Sequence, residues 1–171
     1  MSAKDRGYPD FQDHLKALHD QGLMRTIDTP INKDTEMHPL VRWQFRGGVP
    51  ESQRSAFLFT NIKDSKHKTY KMPVVVGALA ATPEIYSVGM GVPVGEIGDK
   101  WTHAIANPID PVVVDEGPCQ EIVLTGDDLI GPGKGLETLP VPISSPGWDS
   151  APYFTATGVI TKDPETGVQN M

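Results

Sequence analysis

The chain has 171 residues, 38% of them hydrophobic and 22% charged, with a formal net charge of −7. That is enough apolar content to bury a core, and the acidic balance, without any long run of Lys or Arg, excludes a nucleic-acid-binding role. No apolar stretch reaches signal or spanning length, so a cytoplasmic protein with no membrane span is expected.

In chain order, residues 10–21 read as a helix. Asp10 is placed to cap it, Phe11, Leu15 and Leu18 recur at i, i+4 and i+7, and Gly22 can close it in the left-handed region. Residues 23–27 read as a strand stopped by Asp28-Thr29-Pro30. A second helix is expected from Asp34 or Thr35 through Trp43 and Phe45 to Gly47-Gly48, with Pro39 near its first turn. Strands follow at 56–62 and 72–76, separated by a charged turn at 63–68. Residues 80–90 predict a helix capped by Thr82, with Pro83 in its first position and Glu84 at its positive end. A further helix is expected over 95–107, between Pro93 and Pro108.

The texture then changes. The chain's 16 prolines and 17 glycines are denser after residue 89 than before it, and 112–114, 121–124 and 153–161 read as strands between Asp/Gly/Pro turns. A domain boundary is placed accordingly, with 1–110 an N-terminal α/β region and 111–171 the start of an all-β barrel or sandwich. At the end, Lys162 to Gly167 makes a turn. Pro164 presets its own φ, Asp163 can bind nearby backbone amides, and Gly167 can take positive φ. Residues 168–171 restart a strand that is short for a sheet, so the chain reads as the amino-terminal piece of something longer.

Few side chains stand out as chemistry on their own. His14 and His19 are five apart, about 140° around a helix, which is no metal pair; both read as surface residues. The glycines at 89–95 miss the dinucleotide spacing, and those at 131–135 lack the Lys-Ser/Thr end of a phosphate loop, so both read as turns. Cys119, the only cysteine, cannot form an internal disulfide and reads as a small, partly buried side chain.

Asp149-Ser150-Ala151-Pro152-Tyr153-Phe154-Thr155, followed by Asp163-Pro164-Glu165-Thr166-Gly167-Val168-Gln169-Asn170, resembles the signature of the UbiD family. Residues 11–28 and 56–65 resemble that family's amino terminus. The resemblance implies an α+β fold: an N-terminal mixed α/β layer followed by the start of a split, flavin-reductase-like β-barrel, incomplete in this chain. It also implies a reversible, non-oxidative decarboxylase of an aromatic, heteroaromatic or α,β-unsaturated carboxylic acid. The implied cofactors are prenylated FMN, supplied by a flavin prenyltransferase, with Mn2+ and K+. Homo-oligomerisation would run through a domain absent here.

At the level of residues, the resemblance makes Asn170 the metal ligand at the cofactor phosphate, a role that suits a neutral amide oxygen beside a hard cation. It brings Met171 to the cofactor through backbone and Thr155 to the flavin by a hydrogen bond. The family's catalytic Glu-Arg-Glu set and its remaining metal ligands fall after the matched motif, so no catalytic residue is assigned and the 171 residues alone are expected to be inactive. Ala151 and Gln169 stand where the family usually has glycine and often arginine. Two other readings stay open: a non-catalytic flavin-binding or interaction subunit, and an ordinary FMN-dependent reductase.

Overall fold

Asp10 opens the first helix, accepting a hydrogen bond from the Asp13 N–H at 3.0 Å and so satisfying one of the amides a helix start leaves unpaired. In the computed structural model, which describes residues 10–110, 112–154, 158 and 160–170, this helix, α1, spans Phe11–Asp20. Helix α2 is Met37–Arg46. It begins later than the sequence predicts, yet keeps Pro39 in its first turn, where a missing N–H costs nothing. Helix α3, Pro83–Met90, is capped by Thr82, whose hydroxyl accepts from Ile85 N–H at 3.1 Å. It ends at Gly91, whose φ of 65° is open to glycine at little cost. Helix α4 is Ile97–Ala106, entered through a single 3-10 turn at Val94–Glu96.

Six strands lie among these helices: β1 Met24–Ile27, β2 Ile31–Asn32, β3 Ala56–Phe59, β4 Ile62–Lys63, β5 Thr69–Tyr70 and β6 Val74–Val76. They form two three-stranded sheets of mixed direction, in the orders β1-β3-β6 and β2-β4-β5. β1 runs parallel to β3 and β2 parallel to β4, whereas β6 and β5 are antiparallel to those central strands. The single strand expected at 56–62 is therefore two. The break at Thr60-Asn61 faces the one at Asp28-Pro30, where Pro30 has no N–H to give a ladder. Hydrogen bonds from Thr60 N to Ile27 O and from Ile31 N to Asn61 O, both 3.0 Å, carry the pairing across the gap.

Strand alternation sends side chains to opposite faces. Ala56 and Val75 meet α1 and α3 in a core of Leu15, Leu18, Ala78, Ala81, Ile85 and Val88. Phe57, Phe59, Val74 and Val76 meet α2 in a second core with Ile31, Met37, Val41 and Ile62. Gln44 ties α2 to the start of β3, donating to Ser55 O at 2.9 Å and accepting from Ser55 N–H at 3.0 Å. The fold class is α+β, as the sequence predicts, with no closed barrel among the described residues.

Beyond α4, two expectations fail. Residues 112–114 and 121–124 are irregular rather than strands, and Val113 is 94% exposed. β-branched residues favour a strand only where a neighbour pairs with it and covers it, and these find no such neighbour among the described residues. Instead, single 3-10 turns stand at Pro118–Gln120, Gly126–Asp128 and Gly135–Thr138. The glycines at 131, 133 and 135 all take positive φ in turns, as expected. Of the strand expected at 153–161, residues 155–157 and 159 lie outside the described residues, and Tyr153 and Phe154 are not in a strand. A last antiparallel pair, β7 Thr161–Lys162 and β8 Gln169–Asn170, closes the fold.

Candidate functional site

The terminal hairpin is built by its turn. The Asp163 carboxylate accepts from the N–H groups of Thr166 at 2.7 Å and Glu165 at 2.8 Å, and these bonds hold its pKa below the usual carboxylate range. Gly167, at φ 72°, returns the chain, and its N–H reaches Asp163 O at 3.0 Å. This sets the register, with Lys162 opposite Gln169 and Thr161 opposite Asn170. Asn170 thus sits by its backbone in the outermost pair of the hairpin; its side chain, Thr155 and Met171 lie outside the described residues.

Among the described residues, no three His, Cys, Asp or Glu side chains gather to hold a metal ion. One amide oxygen is one ligand of the roughly six that a hard divalent cation takes. These residues therefore do not complete a cation site, and no chemical step is derived through a metal.

A second feature is a cleft of about 840 Å³ along the free edge of β6. Residues 72–81 form its floor and 139–142 one side, while Phe11, His38, Phe45, Tyr153 and Phe154 complete it. Apolar walls with few polar groups suit a hydrophobic or aromatic occupant. Burial lowers the pKa of His38, and the Arg42 charge adds to this while the Asp149 carboxylate opposes it. The imidazole is therefore neutral at pH 7.

The segment bordering the cleft is fastened to the α+β body by polar contacts. Lys68 Nζ donates to Glu137 O at 2.6 Å, and Lys66 lies 3.8 Å from the Glu137 carboxylate. Ile143 N–H reaches Lys33 O at 3.3 Å. One nitrogen of Arg42 donates to Ser144 O at 2.9 Å and to Ser145 Oγ at 3.0 Å.

Beside the first fastening lies a polar knot. Lys33, only 5% exposed, pairs with Asp34 at 2.6 Å, as a buried charge must. Burial alone would raise the pKa of Asp64, but hydrogen bonds from Lys68 N–H, the Tyr70 hydroxyl and Lys66 N–H outweigh it and leave it lowered. Burial and the Asp64 bond push the Tyr70 hydroxyl up to about 12.

Two minor expectations are corrected. His14 is 5% exposed rather than on the surface; it packs under α3, with Nε2 2.7 Å from Ala78 O. His19 is exposed, as expected. Cys119 is exposed rather than partly buried. The fastening by Arg42, Lys33 and Lys68 is absent from the sequence reading, because it runs mostly through backbone N–H and C=O groups far apart along the chain, which carry no sequence signal.

Comparison with known proteins gives a consistent picture. The model of the 3-octaprenyl-4-hydroxybenzoate carboxy-lyase N-terminal domain, UbiD_N, matches residues 15–105. The UbiD-class enzyme HmfF from Pelotomaculum thermopropionicum, solved in complex with FMN, matches with a TM-score of 0.72 and 28% identity, over 93% of this chain and 32% of its own. An evolved dimeric form of HmfF in complex with prFMN gives 0.73 and 27%, over 93% and 33%. Vanillic acid decarboxylase of Sedimentibacter hydroxybenzoicus, in its open form, shares the fold with a TM-score of 0.68 at 23% identity, over 92% and 32%. The chain thus spans about a third of the length of these solved relatives.

Proposed function

Because the chain belongs to the 3-octaprenyl-4-hydroxybenzoate carboxy-lyase (UbiD) family, we propose that it acts as the N-terminal part of a reversible, non-oxidative decarboxylase. The substrate class is an aromatic, heteroaromatic or α,β-unsaturated carboxylic acid, and the cofactor is prenylated FMN. The observation that carries this reading is the reach of the match to HmfF, which covers 93% of the chain and so extends well beyond the matched N-terminal domain.

Loss of CO2 from an sp² carbon leaves an electron pair with nowhere stable to go, and the bound modified flavin supplies the sink for it. This chain's own part is placement. When the metal and cofactor are bound, Asn170 would offer an amide oxygen to a divalent cation such as Mn2+, with K+ as a second ion. Met171 would hold the cofactor through its backbone, and Thr155 would hydrogen-bond the flavin. Residues 1–110 form the scaffold and 111–171 begin the flavin-binding region, while the acid and arginine of the reaction lie outside these 171 residues. A flavin prenyltransferase supplies the cofactor to a cytoplasmic homo-oligomer.

The test is to co-express the whole reading frame with a flavin prenyltransferase and follow CO2 release from a panel of aromatic and unsaturated acids. Turnover is expected in the wild type, and Asn170→Leu should lose bound metal and flavin together. Flavin bound without turnover would favour a non-catalytic subunit, and neither flavin nor turnover would defeat the proposal.

A further inference from the structure

We propose that Arg42 is a positioning residue, which from α2 fixes the 143–154 segment and so sets Tyr153 and Phe154 as a wall of the apolar cleft. Irregular chain keeps one path only if contacts repay its lost backbone freedom. The Lys68–Glu137 and Lys33–Ile143 contacts hold the segment further upstream. The last polar tie to the body before Tyr153 among the described contacts is the Arg42 pair of bonds to Ser144 O and Ser145 Oγ.

From there the geometry closes on itself. Ser145 N–H donates to Asp149 Oδ2 at 2.7 Å, and the N–H groups of Trp148 and Asp149 both return to Ser145 O at 3.0 Å. Arg42, Ser145 and Asp149 therefore make one bracket, with the Asp149 carboxylate near enough to α2 to act on the His38 imidazole. Tyr153 and Phe154 follow four and five residues later and line the cleft together with His38 and Phe45 of α2. One helix thus supplies both the anchor of this wall and another part of the cleft's lining. Both bonds leave one guanidinium nitrogen, whose two N–H groups are fixed in the guanidinium plane. An idle surface arginine would have no reason to meet two acceptors more than a hundred residues away.

The consequence for catalysis rests on the function proposed above: a wall fixed from the N-terminal body presets the flavin side of the site before cofactor arrives. Two measurements separate the bracket from that reading. In the 171-residue chain, amide exchange over 143–154 should quicken about tenfold or more in Arg42→Ala, the scale of a lost hydrogen bond to a charged group. β3 should stay unchanged, Arg42→Lys should recover part of the protection, and Ser145→Ala should show a smaller form of the same effect. Arg42→Ala combined with Ser145→Ala should exchange no faster than Arg42→Ala alone. Unchanged exchange over 143–154, or an equal rise in β3, overturns the bracket.

In the holoenzyme, Arg42→Ala should release flavin about tenfold faster, on the same scale, with kcat per bound flavin unchanged. Faster exchange with unaltered flavin release overturns the positioning role. A wild-type holoenzyme that holds no flavin defeats the proposed function, while the exchange data still decide the bracket.

Discussion

Replacing Asp64 by alanine should destabilise the fold by about 3 kcal/mol. Its Oδ1 accepts from the N–H groups of Lys66 and Lys68, each at 2.9 Å, and its Oδ2 accepts from the Tyr70 hydroxyl at 3.0 Å. The two amides lie in a partly exposed turn and regain water when the carboxylate is removed, so each contributes about 0.5 kcal/mol, the low end for an ordinary hydrogen bond. The partly buried phenol, bonded to a charged acceptor, contributes about 2 kcal/mol. His67 holds a left-handed φ of 66° in the same turn, a strained state that persists only while its surroundings enforce it. For a chain of this size the total lowers Tm by roughly 6–12 °C.

Urea unfolding followed by circular dichroism measures this, with Tyr70→Phe and the double variant alongside. Because the two side chains share a bond, the double variant should cost about 1 kcal/mol less than the sum of the singles. The pH dependence has a fixed sign. Asp64 binds its proton less readily when folded, so its contribution is present above its ordinary 3.8 and is lost as pH falls through the lower folded value. The Tyr70 contribution is present below 10 and is lost as pH rises towards about 12. A cost under about 0.5 kcal/mol for Asp64→Ala, the usual range of an indifferent surface change, or strict additivity with Tyr70→Phe, would refute the reasoning.

Gln44→Ala should cost about 3 kcal/mol in the same unfolding assay, because it strands the buried N–H and C=O of Ser55 as well as removing two bonds; Gln44→Glu, which keeps one of the two, should cost less. His38 has a lowered pKa in the fold, so stability should be highest above its ordinary 6.5 and fall as pH drops below it. His38→Gln should flatten that slope in melts run from pH 7.5 to 5.5, with the Arg42 and Asp149 charges left in place.

How far the sequence disclosed the fold depended on how locally each element is determined. The caps at Asp10 and Thr82 and the apolar spacing of Leu15 and Leu18 place α1 within a residue and mark the true start of α3, three residues inside the expected range, because those signals act over a single turn. The Asp163–Gly167 turn is legible for the same reason. Failure came where a strand depends on a partner. Val112–Val114 carry as much β propensity as Val74–Val76, but only the second set has β3 beside it. Nothing in the local sequence distinguishes the two. The splitting of 56–62 was also invisible, since it follows from a proline in the neighbouring strand. In the candidate site, the identity of Asn170 came from a motif. The Arg42 bracket could come only from coordinates, because Ser144 contributes its carbonyl, which every residue has.

Burial and function-specific sequence are separated along this chain. Among the described residues, both cores draw on residues 15 to 88 alone, whereas Ile122, Leu129, Trp148 and Val168 are all exposed. Large apolar residues exposed along one stretch of chain suit contact with further protein, and relatives about three times as long have further chain that could supply it. The hairpin therefore contributes little to the stability of the 171 residues that carry it. Asn170→Leu in this chain should change its unfolding free energy by less than about 0.5 kcal/mol, as expected in the outermost pair of a two-stranded ribbon, whereas on the function proposed above it should abolish metal and flavin retention in the full-length protein. A large loss of stability from that substitution would mean that the hairpin is part of the body's own fold, and the division between a self-sufficient scaffold and a dependent flavin-side ribbon would be wrong.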